Sequence, residues 1–250
     1  MGNNLIDEAI KLIDNAKELG IILRLMGAIA VRLHLSRFFY ILEALNREIT
    51  DIDFMALSKQ RSQIIKFFTD NGFELDRGVL IASDRCVFHN PQKKYCVDVF
   101  FDKLDMCHQI DFRKRLEVDY PTISLSDLLL EKLQIVKINE KDIKDVIALL
   151  REHNLGKAEK ETINIDYICK ILSDDWGFYY TVTENLKKII SFLNFYDVLK
   201  DEDRSDVKSK IDALLRLVDE YPKSLAWKLR AKIGSSKKWY KEVEEKGKIF

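Results

Sequence analysis

The apolar residues of this chain change their period part-way along it, and few architectures accommodate both periods. Up to about residue 122, strand-like runs alternate with helical ones. An amphipathic helix is expected over 4–19, and "IILRLM" (21–26) reads as a buried strand that turns at Gly27 into a helix over "AIAVRLHL". "REITDIDFMAL" (47–57) alternates every second residue, and the helix over "SKQRSQIIKFFTDNG" stops at Gly72. A strand is expected near 79–82. "RCVFHN" and "YCVDVFF" follow as a hairpin closed by "NPQKK", and "LEVDYPTISL" is a last extended piece. Beyond this the pattern is helical throughout: a capped, Leu-rich "SLSDLLLEKLQIVKI", then helices over about 140–152, 164–174, 178–199, 204–220 and 223–245. The expected fold is therefore α/β (α+β), a mixed sheet with flanking helices over residues 1–122, followed by an all-α domain over 123–250.

Bulk composition narrows the class. The 250 residues carry 41 basic and 41 acidic side chains, so the molecule as a whole is no generic polyanion binder. No apolar run approaches the ~20 residues a membrane span needs. The first twenty residues have helical spacing interrupted by acids, unlike a signal peptide. The four cysteines (86, 96, 107 and 169) show no CxxC spacing and read as reduced, mostly buried thiols. A cytoplasmic protein with no membrane partner is expected. From Lys223 to Lys248 there are nine Lys/Arg against three Glu, with Trp227, Trp239 and Tyr240 among them. Such a stretch suits RNA or phosphate, but a terminal helix with a solvated face has the same composition. His34, His89, His108 and His153 are scattered without HxxxH spacing, which argues against zinc. The aromatic run "SDDWGFYYTV" (173–182) reads as core of the helical half.

The strand at 47–57 poses a chemical problem. Ile52, Phe54 and Ala56 share one face, while Asp51 and Asp53 share the other, about 7 Å apart at ~3.3 Å per residue. Two ionised carboxylates so placed repel, and burying either without a partner is costly. Hard carboxylate oxygens are what Mg²⁺ prefers, and a bound cation removes both penalties. Asp98, between Val97 and Val99 in "KKYCVDVFFD", is the natural third acid if its strand lies alongside; Asp102, at the strand's end, suits a solvated role. Gly27, at a strand-to-helix turn, leaves backbone amides open to a phosphate.

Gly27-Ala28, Asp51-Ile52-Asp53 and Val97-Asp98-Val99 together resemble the pattern of the nucleotidyltransferase superfamily, which includes aminoglycoside nucleotidyltransferases and the minimal nucleotidyltransferases of toxin–antitoxin systems. The resemblance covers roughly residues 20–102, and residues 124–150 look like a helical segment found after this domain in several relatives. It departs from the pattern in two places. Ala28 stands where Gly or Ser is usual, which removes a hydroxyl contact but keeps the backbone amide. The 23 residues between Gly27 and Asp51 exceed the minimal members' spacing, so "HLSRFFYILEALNRE" is expected to extend or add a helix.

The resemblance implies transfer of NMP from an NTP to a hydroxyl of an acceptor. Asp51, Asp53 and Asp98 would be the catalytic and metal-binding acids for two Mg²⁺ ions. Gly27, Ala28, Arg47 and Lys132 would contact the nucleotide, and Asp142 and Asp145 would order helix packing. The acceptor is open among a small molecule, a protein side chain and an RNA end. The competing readings are a non-catalytic interaction module that binds a protein partner through its helical half, as in a toxin–antitoxin pair, and a two-metal nuclease.

Overall fold

The computed structural model describes residues 2–82, 85–93 and 95–243. In chain order, α1 (Gly2–Glu18) leads into β1 (Leu23–Met26), α2 (Gly27–Leu33), α3 (Phe39–Ala44) and β2 (Ile52–Ala56). Next come α4 (Arg61–Asp70), β3 (Glu74–Leu75), α5 (Arg77–Ala82), β4 (Arg85–His89) and β5 (Cys96–Phe101). A small hairpin, β6 (Lys103–Asp105) and β7 (Gln109–Asp111), closes the first half. The second half holds α6 (Leu125–Leu133), α7 (Glu140–Glu152), β8 (Asn154–Gly156), β9 (Thr162–Asn164), α8 (Ile165–Asp174), α9 (Trp176–Phe192), α10 (Asp201–Glu220) and α11 (Leu225–Ile233).

The fold is α+β, with a mixed five-stranded sheet in the order β1-β2-β5-β4-β3 and helices flanking it. Only β2 and β5 run parallel, and every other neighbouring pair is antiparallel. Alternation gives the sheet two chemically different faces. Ile52, Phe54, Val97, Val99, Cys86 and Phe88 point to one side and are fully buried. There α4 supplies Phe68, stacked on Phe88 with ring centroids 4.5 Å apart and tilted against Phe54 at 6.0 Å. Each such buried ring contributes on the order of 1.5–3 kcal/mol, which pins the register of the sheet. The opposite face carries Asp53, Asp98, Arg85 and Phe100, all half-buried.

The second half is anchored by α6, whose nine residues are all buried. Ser124 caps it, accepting from the Asp127 amide at 3.3 Å. Asn139, Asn164, Asp175 and Ser224 cap α7, α8, α9 and α11 in the same way. One hydrophobic cluster runs from Ala9 in α1 to Val218 in α10, with α6 and α7 packed on α2 and α3. Among the described residues, no helix is long and apolar enough to cross a membrane. All four cysteines are free thiols, three of them buried.

Several local expectations need correction. Residues 79–82 are helix, not strand: Asp76 accepts the Val79 amide at 3.1 Å, and its carbonyl accepts that of Leu80, so a cap nucleates a turn where four apolar residues suit either state. Residues 123–250 are not helical throughout, because β8 and β9 form a short parallel pair. The helix expected over 223–245 ends at Ile233, where Gly234 takes a φ of +59°. Residues 237–243 continue as an irregular strap. The hairpin β6–β7 was not expected at all. Asp102 sits at a φ of +60° and accepts the Ser58 amide at 3.0 Å, a local structural task.

Candidate active site

The strand register answers the question the acids raise. Asp53 lies directly beside Asp98 on the parallel pair β2–β5, and Met26, the residue before Gly27, lies beside Asp53 on its other flank. Asp51 precedes β2 by one residue and is exposed, with the Thr50 hydroxyl donating to it at 3.2 Å. Gly27 has a φ of +69°, and a Cβ built on it would stand 2.5 Å from Asp53 Oδ2. Both facts demand glycine: the left-handed backbone, and the carboxylate against its α-carbon.

The helical half contributes the rest of the charge. Glu131 and Lys132 sit side by side on α6, both buried. Glu131 Oε2 accepts the Gly27 backbone N–H at 3.2 Å, so the first amide of the seven-residue α2 already has a partner. The Lys132 ammonium lies 3.4 Å from Glu131, 3.5 Å from Asp142 and 3.3 Å from Asp145. Burial works against its charge, but the three carboxylates outweigh it and hold the ammonium above its ordinary range. Burial, partly offset by Lys132, raises the carboxyls of Glu131 and Asp142. Arg47 donates to Asp145 from Nε and Nη2 at 2.9 and 3.0 Å, a forked pair in the interior.

Asp53 is the acid without matching compensation. Burial raises its pKa well above the ordinary value, and the charges of Asp51, Asp98 and Glu131 push the same way against Lys132 alone. Asp98 is paired with Arg85 at 2.7 Å across β5 and β4. Among the described residues, no group of three His, Cys, Asp or Glu is gathered as a metal cage. The donor chemistry of Asp51 and Asp53 nonetheless fits a hard cation: two carboxylates in local excess, one held above its usual pKa by burial and by the neighbouring acids. Asp98, paired with Arg85, lies beside Asp53 in the register of β2 and β5.

Asp53, Glu131, Lys132 and Asp142 line the polar part of a cleft of about 630 Å³. Its remaining walls come from Met26 and Phe100 of the sheet, the β6–β7 hairpin, the loop after α6 and the C-terminal strap. The structure thus gathers Gly27, Asp51, Asp53, Asp98 and Lys132. Ala28 is half-buried at the start of α2. Arg47 lines a separate recess of about 840 Å³ with Arg32 and Lys93, and shares Asp145 with Lys132. Asp142 and Asp145 do bind the buried cations between helices, the packing task expected of them.

Sequence reasoning passed over Glu131, Arg85 and the strap. For Glu131 the local pattern is silent: in "LLLEKL" the leucines span only about 200° of the helix and leave Glu131 on the open side, so its burial against Gly27 comes from tertiary packing. Arg85 and the strap had no local signal either. His108 stacks on Phe178 and bonds Thr181 at 2.8 Å; His34 bonds Thr122 and meets the His153 ring edge-on at 5.8 Å, with His153 bonding the His34 carbonyl; His89 Nδ1 lies 3.2 Å from Cys96 Sγ. No known family model matches the chain, and no curated protein matches it in sequence.

Proposed function

We propose that this chain is a Mg²⁺-dependent enzyme of the nucleotidyltransferase fold, with residues 123–250 as its helical domain, acting in the cytoplasm on an NTP and a hydroxylated acceptor. One observation carries the reading: Asp53 registers beside Asp98 on parallel strands, with Asp51 two residues before it and Gly27 backed against its carboxylate. Asp51 and Asp53 would hold Mg²⁺, which when bound supplies charge neutralisation along the triphosphate. Lys132, fixed by three carboxylates, offers its ammonium to a phosphate oxygen at the polar part of the cleft. In the transfer, the acceptor oxygen bonds to the α-phosphorus, the bond to the bridging oxygen breaks and pyrophosphate leaves. The hydroxyl proton passes to Asp98, which must first give up Arg85. Positioning and charge are what such a reaction requires of a protein, more than covalent assistance.

A second reading has its own support. The Gly27 amide is taken by Glu131 and Asp98 by Arg85, an arrangement suited to a non-catalytic interaction module that keeps the fold. Thermal shift with ATP, GTP, CTP and UTP, with and without Mg²⁺, separates the two. A ligand at 100 times its Kd adds about 2.7 kcal/mol of stability. The transferase reading expects a Mg²⁺-dependent rise in melting temperature that disappears in Asp51→Asn/Asp53→Asn. No shift with any nucleotide at millimolar concentration leaves the interaction module.

A further inference from the structure

The cleft has a second chemical character that the acids do not use. Around Leu104, Met106, Ile135, Val136, Tyr240 and Val243 its walls are apolar or aromatic. These six residues come in pairs from three segments of the chain: the β6–β7 hairpin, the loop after α6, and the strap at 237–243.

The strap is held by specific contacts. The Lys241 backbone N–H donates to the Cys107 carbonyl at 3.0 Å, and its ammonium pairs with Asp105 at 3.0 Å, so the strap runs along the hairpin. Trp239 Nε1 donates to Thr181 Oγ1 on α9 at 3.0 Å, and its ring meets Tyr180 edge-on at 5.0 Å. Gly177 makes room for it: a Cβ there would stand 2.5 Å from the Trp239 carbonyl oxygen. Tyr240, between them, stands on the cleft wall, with the Trp239 ring edge-on at 5.3 Å and the Lys238 ammonium 5.4 Å from its ring centre.

We propose that this apolar part of the cleft is a subsite for a planar heteroaromatic ring, a nucleobase, and that the strap forms its outer wall with Tyr240 as the stacking face. The inference rests on the transferase reading and deepens it. A cleft with a cationic and acidic part for metal-bound phosphates and an apolar part beside it matches the two chemistries of a nucleotide. Its volume of about 630 Å³ falls in the ~300–1,000 Å³ range of small-molecule sites. Base–aromatic stacking is worth about 1–3 kcal/mol per base, which corresponds to roughly 5- to 150-fold in affinity.

Isothermal titration of the full chain in Mg²⁺ tests this with the four NTPs, the corresponding nucleosides and inorganic tripolyphosphate. The proteins are wild type, Tyr240→Phe, Tyr240→Ala and Gly177→Ala, each checked by circular dichroism for an intact fold. Gly177→Ala displaces the strap without altering any cleft-lining residue. The expected result is that wild type prefers at least one NTP over tripolyphosphate by tenfold or more. Tyr240→Ala and Gly177→Ala then lose that preference, Tyr240→Phe keeps it, and tripolyphosphate affinity is unchanged in all four. The base subsite is overturned if tripolyphosphate binds as tightly as every NTP, or if both strap variants retain the NTP preference. If tripolyphosphate does not bind but a nucleoside does, and Tyr240→Ala abolishes it, the subsite stands and the transferase reading falls. If nothing binds to wild type, both fall.

Discussion

Two acids of this protein, Glu152 and Asp53, are both withdrawn from solvent and are driven in opposite directions. Glu152, at the end of α7, accepts the backbone amides of Ser36, Arg37 and Phe38 at 3.2, 3.0 and 2.9 Å, together with the Ser36 hydroxyl and Arg37 Nε. Burial alone would raise its pKa, but these donors overcome it and bring it down to about 2. Asp53 has burial and three like charges against one lysine, and its pKa rises. A carboxylate that is fully answered by donors is scaffolding. One left in excess is a candidate for a functional site.

The largest effect expected from this contrast is at Glu152. Its folded pKa lies below the ordinary 4.5, so its contribution is complete above about pH 4.5 and is lost as pH falls toward 2. Glu152→Gln should cost up to about 3 kcal/mol at pH 7, measured by urea unfolding, with wild type and variant converging near pH 2. A constant gap down to pH 2 would show that shape, not charge, holds the α3–α7 junction. Gly27→Ala comes next, at about 2 kcal/mol, from the positive φ and the contact with Asp53. In Asp53→Ala the same glycine substitution should cost less, because only the backbone part remains; equal costs in both backgrounds would mean the close approach is not what demands glycine. Smallest is Asp53→Asn, which should stabilise the protein by about 1 kcal/mol through relief of like-charge crowding. Destabilisation instead would put Asp53 in the same class as Glu152 and remove the contrast.

The parts of this arrangement that were legible in the sequence are those encoded locally. Period-two alternation separated Ile52, Phe54 and Ala56 from Asp51 and Asp53, and the sheet keeps that division. Gly27 was legible as a turn, and its second requirement, the approach of Asp53, needed the neighbouring strand. Which strands adjoin is not encoded locally, so the placement of Asp98 beside Asp53 rests on the parallel β2–β5 register. Arg85 was not legible, since its approach to Asp98 depends on the β4–β5 hairpin register. Residues 79–82 misled because "VLIA" has no period to read, and the deciding signal was Asp76, outside the run. The strap was hidden for a similar reason. Its basic and aromatic residues look like one face of a helix until Gly234 breaks it, and Trp239 and Lys241 bond Thr181 and Asp105, 58 and 136 positions away.

The burial of α6 has a consequence for how the cleft moves. Glu131 and Lys132 stand on a helix with no exposed residue, so the amides beneath them should exchange with deuterated solvent only when the whole chain opens. The strap across the opposite wall is tied down by a few surface bonds and should exchange far sooner. The cleft thus joins a helix expected to open only with the whole chain to a strap expected to open locally, two walls of one site that should differ in their exchange.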